Sequence, residues 1–188
     1  MEYATALRTV GGGPSVCRRP GILRRPRARS MPTDPLLSAL LAPARVRIGL
    51  GAATKADVLR AVVALAATSP AVTDAAALLA DVEAREATLS TGVGDGLALP
   101  HARSAALTET VAALVTLATP VDYDALDGAP VRLALLIASP DGDPGAHVRL
   151  LSRISRLLVR PGVREAFLAA PDAAAFCAAL AQAEAAMG

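Results

Sequence analysis

The sequence predicts an α/β fold: a small mixed β-sheet flanked by helices on both faces, in a single domain. Three observations point there. Short apolar runs of strand character, at 46–50, 111–117 and 131–138, interleave with longer segments whose apolar residues recur at helical spacing. The length of 188 residues suits one domain with its own core and a tail. Hydrophobic residues make up 53% of the chain but aromatics only 2%, so the layers must be packed from Ala, Val, Leu and Ile.

The first 30 residues stand apart from the rest. They hold seven arginines (8, 18, 19, 24, 25, 27 and 29) and one acid, Glu2. Gly11-Gly12-Gly13-Pro14, Pro20 and Pro26 break any regular period. An apolar stretch of the secretory kind is missing, and the prolines prevent the amphipathic helix of a transit peptide. Residues 1–30 therefore read as a disordered Arg/Pro/Gly-rich extension, or as an upstream translation start with the true start at Met31. Residues 31–188 form the domain.

Removing the tail from the 19 basic and 17 acidic residues leaves 12 against 16, a net charge of −4. A nucleic-acid-binding domain would carry its basic footprint on the fold itself, and base stacking needs aromatic rings, so neither reading fits. No apolar run approaches the roughly 18–20 residues of a membrane span. Cys17 lies in the tail and Cys177 in a late helix, giving no disulfide framework and no CxxC, which fits a reducing cytoplasm.

The domain opens with a short helix at 34–41 stopped by Pro43, then a strand at 46–50. Thr54 with Asp57 three residues on is a capping pair for a helix running to about residue 67, which Ser69-Pro70 breaks. Thr73 starts a second long helix through Leu78, Leu79 and Val82 to about residue 87. The glycine-rich segment 90–96 leads into an extended Leu97-Ala98-Leu99-Pro100-His101. Strands at 111–117 and 131–138 are separated by the turn-rich residues 120–130. After the loop 141–145 come helices at 147–160, closed by Pro161-Gly162, at 163–169 and at 172–186. No internal repeat is present.

The chain has two histidines, His101 and His147. His101 follows an extended apolar segment and a proline, so it emerges at a strand end, where α/β sheets usually bind ligands. Imidazole is also matched to proton or phosphoryl chemistry near neutral pH. A purely structural role is the competing reading. His147 opens a helix and, at about 100° per residue, falls within the stripe of Leu150, Leu151, Ile154, Leu157 and Leu158, so it points inward from the first turn. Capping or packing is its alternative role. Arg85 continues the apolar face of Leu78 and Val82. There a guanidinium must meet an anion or carbonyl groups, although the helix dipole alone also favours a cation in a last turn.

Gly92, Gly94 and Gly96 read as a turn delivering the next strand, since neither the Lys-Ser/Thr of a nucleotide P-loop nor the acidic partner of a dinucleotide fold accompanies them. Asp122, Asp124 and Asp127 imitate a calcium loop, but the twelfth position is Leu133, not Glu, so they read as a turn. Two histidines without clustered carboxylates or thiolates make a poor zinc set. Arg149, Arg153, Arg156 and Arg160, spaced 4, 3 and 4, form one stripe opposite the leucine face. It reads as a solvated surface or as a dock for an acidic partner.

Together, Arg85-Glu86, Ser90-Thr91-Gly92-Val93-Gly94-Asp95-Gly96 and Leu97-Ala98-Leu99-Pro100-His101 resemble the signature of the fructose/mannitol-type IIA domains. These belong to the bacterial phosphoenolpyruvate-dependent sugar phosphotransferase system (PTS). Asp122-Tyr123-Asp124-Ala125-Leu126-Asp127-Gly128 before an apolar strand, and His147 on a leucine-rich helix, extend the similarity over about residues 34–185. The glycine that usually follows Pro-His is Ala102 here.

The resemblance implies a phosphotransferase component with a phosphohistidine intermediate. It implies that His101 accepts phosphate on Nε2 from the histidine-containing phosphocarrier protein and passes it to a cysteine of a IIB component. By position, His147 is the second active-site histidine and Arg85 the active-site arginine, and no cofactor or metal is called for. On this reading His101 must be neutral at the attacking nitrogen, its other nitrogen held by an acceptor that the sequence does not name. Sugar uptake is the first role implied. A regulatory role like that of the nitrogen-type IIA proteins is the second, kept open because no IIB, membrane or phosphocarrier domain is fused within these residues.

Overall fold

The computed structural model describes residues 35–187, so the tail lies outside the described residues, as does Asp34, the first residue of the predicted opening helix. In chain order the elements are α1 (Leu37–Leu40), a 3-10 turn (Pro43–Arg45), β1 (Val46–Leu50), α2 (Lys55–Ala66) and α3 (Ala75–Thr88). Then come β2 (Gly92–Gly94), β3 (Leu97–Ala98), β4 (His101–Arg103), β5 (Val111–Val121) and β6 (Val131–Ser139). The chain ends in α4 (Pro144–Leu158), α5 (Val163–Leu168) and α6 (Ala173–Ala185).

The helix ends show why these segments begin where they do. Thr54 and Asp57 close the predicted capping box at the start of α2. At α3 the cap is Asp74 rather than Thr73: the Asp74 carboxylate accepts from Ala76 N and Ala77 N, both at 3.0 Å. The Thr73 hydroxyl instead donates to the carbonyl of Ala106 at 2.9 Å. Helix α4 starts three residues before the predicted His147, because Asp143 caps it through Ala146 N at 2.9 Å and Pro144 takes the first helical position.

The six strands form one mixed sheet in the order β1-β5-β6-β3-β2, with β4 also paired to β6. Central β5 and β6 are antiparallel, pairing Leu114 with Leu135 and Ala112 with Ile137. β1 lies parallel on the far side of β5, while β3 and β4 lie parallel on β6. The predicted extended segment 97–101 is thus two short strands. Pro100, between them, has no N–H to give the ladder, and His101 opens the second strand rather than closing the first, pairing with Ile137.

Alternation along β5 and β6 sends side chains to two cores. Ala113, Val115, Ala134, Leu136 and Ala138 meet Val58, Val62, Leu78 and Val82 of α2 and α3. The alanines on this face let the helices approach closely. Leu114, Leu133, Leu135 and Ile137 meet Leu150, Ile154 and Leu157 of α4, with Phe167 and Phe176 of α5 and α6. Those two rings sit 4.7 Å apart at 45°, a tilted pair. Among the described residues no helix is long and apolar enough to cross a membrane.

This layering fixes the site. The last turn of α3 packs on β4, and the first turn of α4 returns over the C-terminal end of β6, beside the same strand.

Candidate active site

The glycine segment shapes the approach to His101. Gly94 (φ 99°), Asp95 (φ 54°) and Gly96 (φ 77°) make the tight β2–β3 turn, anchored by Asp95 N donating to the Asp127 carboxylate at 2.8 Å. The other Asp127 oxygen accepts from Ala129 N at 2.9 Å within its own turn, so one carboxylate ties the two turns together. Leu99 N then donates to Thr91 O at 2.9 Å, placing the Leu99 carbonyl beneath the imidazole of His101.

His101 Nδ1 lies 2.8 Å from Leu99 O. A carbonyl only accepts, so Nδ1 carries the proton and the lone pair of the neutral ring sits on Nε2. On that side Arg85 Nε donates to Nε2 at 3.2 Å, while Arg85 Nη1 donates to Leu89 O at 2.9 Å. Burial lowers the pKa of His101 below its ordinary value. The Leu99 hydrogen bond opposes this and the Arg85 charge adds to it. The ring is therefore neutral near pH 7.

His147 is buried in the first turn of α4, its ring centroid 5.8 Å from that of His101. Burial, with the nearby His101 and the Arg103 charge, holds its pKa down at about 4. Its Nδ1 is 2.9 Å from the Ser139 hydroxyl. His101, His147 and Arg85 thus face one open cleft of about 360 Å³, which Asp81, Arg103 and Asp141 also line.

One placement departs from what the sequence predicts. Helical phase puts Arg85 on the buried side of α3. It is half-buried, because its guanidinium reaches round to His101, and the neighbouring Glu86 is the buried charge. Glu86 accepts from Thr91 N at 2.9 Å and from the Thr91 hydroxyl, and pairs with Lys55 Nζ at 2.7 Å. Burial pushes its carboxyl up, but those partners outweigh burial and hold it below the usual range. Lys55 also lies 4.8 Å above the Tyr123 ring. Together these contacts lock the end of α3 to the loop that leads to His101.

Arg103 escaped the sequence reading although the signal was present: it lies two residues beyond His101 on one strand, hence on the same face. Ser139 gave no such signal, since its place under His147 comes from tertiary packing. Of the arginine stripe, Arg149, Arg153 and Arg156 lie on α4 and Arg160 just past its end; Arg149 and Arg156 are exposed and Arg153 and Arg160 half-buried, away from the cleft lining.

Residues 39–183 match the family described as phosphoenolpyruvate-dependent sugar phosphotransferase system, EIIA 2. The chain belongs to this family of PTS IIA components, part of a phosphotransferase relay. A nitrogen regulatory protein of Pseudomonas aeruginosa is 36% identical over 139 residues, covering 74% of this chain and 90% of the relative. A PTS fructose-specific EIIA component of Haloferax volcanii is 35% identical over 118 residues, covering 63% and 77%. The crystal structure of the nitrogen regulatory protein IIA-Ntr of Neisseria meningitidis superposes with a TM-score of 0.71 at 26% identity, covering 77% of this chain and 98% of that one.

Proposed function

We propose that the chain is a phosphoryl carrier of the sugar phosphotransferase system, with His101 as acceptor, Arg85 and His147 as its catalytic partners, and residues 31–188 as the working domain. The observation that carries this reading is the Nδ1–Leu99 O bond of 2.8 Å, which puts the lone pair of a neutral imidazole on Nε2, the nitrogen beside the Arg85 guanidinium.

On this reading Nε2 attacks the phosphorus of a phosphohistidine on the phosphocarrier protein. The N–P bond of the donor breaks, its electron pair returns to the donor ring, and a P–Nε2 bond forms. A thiolate of the IIB component then attacks phosphorus, and the electron pair of the broken bond returns to Nε2. The proton on Nδ1 stays at Leu99 O throughout. The phosphoryl oxygens draw the Arg85 guanidinium off Nε2 and onto themselves, and His147 donates a hydrogen bond to them. Position and charge do most of the work in such transfers.

The test is labelling with phosphoenolpyruvate, enzyme I and the phosphocarrier protein. Acid-labile phosphate should appear on the wild type and vanish in His101→Ala. His147→Ala should keep some acceptance and slow onward transfer. Retained label in the His101 variant overturns the assignment.

A second output has support from the Pseudomonas aeruginosa relative, whose name is regulatory: binding of target proteins according to phosphorylation state. Transfer to a IIB cysteine supports uptake. A target that binds only one phosphorylation state supports regulation.

A further inference from the structure

The last residue of β6, Ser139, is held on three sides. Its carbonyl accepts from Ser104 N at 3.0 Å, its hydroxyl lies 2.9 Å from His147 Nδ1, and the Thr110 hydroxyl lies 3.1 Å from the same oxygen. Ser139 and His147 are both buried, at 4% and 7% exposure. A second cavity of about 270 Å³, lined among others by Thr110, Ser139 and Asp143, also reaches His147. The histidine ring therefore stands between the His101 cleft and this pocket.

We propose that Ser139 is a positioning residue that fixes the tautomer of His147, keeping its proton on Nε2 so that the ring presents a donor and not a lone pair. A neutral imidazole has one N–H, and the partner of one nitrogen decides which nitrogen bears it. With Thr110 donating to Ser139 Oγ, the single hydroxyl proton of Ser139 is left for Nδ1, and the ring proton goes to Nε2. The reverse chain, from Nδ1–H through Ser139 to Thr110, would leave a bare lone pair on Nε2. Such a lone pair repels an anionic phosphoryl group. The choice between the two directions rests on the phosphoryl-carrier reading; the hydrogen-bond chain itself does not.

The two histidines are then held in opposite tautomers by different devices. A backbone carbonyl keeps the proton of His101 on Nδ1 and frees Nε2 as nucleophile. A hydroxyl keeps the proton of His147 on Nε2 and makes it a donor. In Ser139→Ala the adjoining pocket admits water, which can donate or accept, so His147 should become a mixture of both forms.

The chain contains only two histidines, so nitrogen-15 NMR of the histidine-labelled, unphosphorylated protein at neutral pH resolves the question. The expected wild-type result is one ring protonated at Nδ1 and the other at Nε2, with His147→Gln identifying the second. Ser139→Ala should shift only His147 to a mixture and slow phosphoryl transfer by about tenfold, a donor being lost part of the time. Ser139→Thr should restore both. Ser139→Cys keeps the volume with a weak S–H donor; it should show a lesser mixture, and serves if the alanine variant does not fold. Two rings in the same tautomer, or an unaltered His147 in these variants, overturns the proposal. Because the spectrum needs no phosphate, it can fail while His101 still takes label, or hold while labelling fails.

Discussion

Arg85 Nε lies 3.2 Å from Nε2 of His101, so the guanidinium occupies the lone pair that the proposed reaction uses. The bond has two consequences. It lowers the readiness of His101 to take a proton, and it stations a cation where phosphoryl oxygens would arrive. Arg85→Ala should cut the transfer rate by roughly 10²–10³, the usual cost of one pre-aimed donor. The same variant should raise the pKa of His101, since a positive neighbour is gone while burial stays. Arg85→Lys separates the effects: its charge should keep the pKa low, while the missing fork leaves transfer slow. Proton NMR titration beside phosphorylation kinetics reads both.

Acid should destabilise the fold earlier than its carboxylates alone would. A histidine held below its unfolded value binds a proton less readily in the native state, so the unfolded chain gains protons first as pH falls. The contribution of the neutral rings is complete above about pH 6.5 and is lost as pH falls toward the folded value, about 4 for His147. For His147 alone this amounts to about 3 kcal/mol. Asp57, held down at about 2, acts only at lower pH. Urea unfolding between pH 7.5 and 4.5 should show the loss, and His147→Gln should flatten it. Phosphate acceptance, in turn, should persist below pH 6.5, because His101 is also held neutral.

The Lys55–Glu86 pair is asymmetric, with side-chain exposures of 22% and 5%. Lys55→Met strands the Glu86 carboxylate in the interior and should cost about 3–5 kcal/mol. Glu86→Gln keeps an oxygen for Thr91 N and leaves a lysine that can rehydrate, so it should cost about 1–2 kcal/mol. Chemical denaturation at pH 7 gives the order. A reversed order would mean that Lys55, not Glu86, is the group the fold cannot leave unpaired.

Much of this architecture was legible in the chain. The strands at 111–117 and 131–138 are apolar on both faces because both are covered, and Thr54 with Asp57 announced α2. The phosphotransferase signature singled out His101, and the leucine stripe placed His147 inward. What was not legible depends on contacts between distant segments. Thr73 looks like a cap as good as Asp74 until Ala106 O claims its hydroxyl. Arg85 looks buried by helical phase because phase says nothing of how far a guanidinium can reach. The carbonyl that orients His101 belongs to Leu99, and no side-chain motif can reveal a backbone acceptor.

Gly92 and Gly96 should respond differently to alanine, for reasons set by their surroundings. A Cβ on Gly92 would lie 2.7 Å from the Cα of Ala125, and backbone cannot yield as a flexible side chain can. On Gly96 the nearest atoms would be 3.7 Å away, leaving only the strain of φ +77°. Gly96→Ala should therefore cost about 1–2 kcal/mol and leave phosphoryl transfer within about twofold, well under a 1.4 kcal/mol barrier change. Gly92→Ala should cost about 1–3 kcal/mol and also displace Thr91, whose carbonyl holds Leu99 N at 2.9 Å. Leu99 in turn holds the proton of His101, so a shift there loosens the tautomer and slows transfer. Equal kinetic loss in both variants would mean that the β2–β3 turn, rather than the contact at Ala125, sets the position of the imidazole.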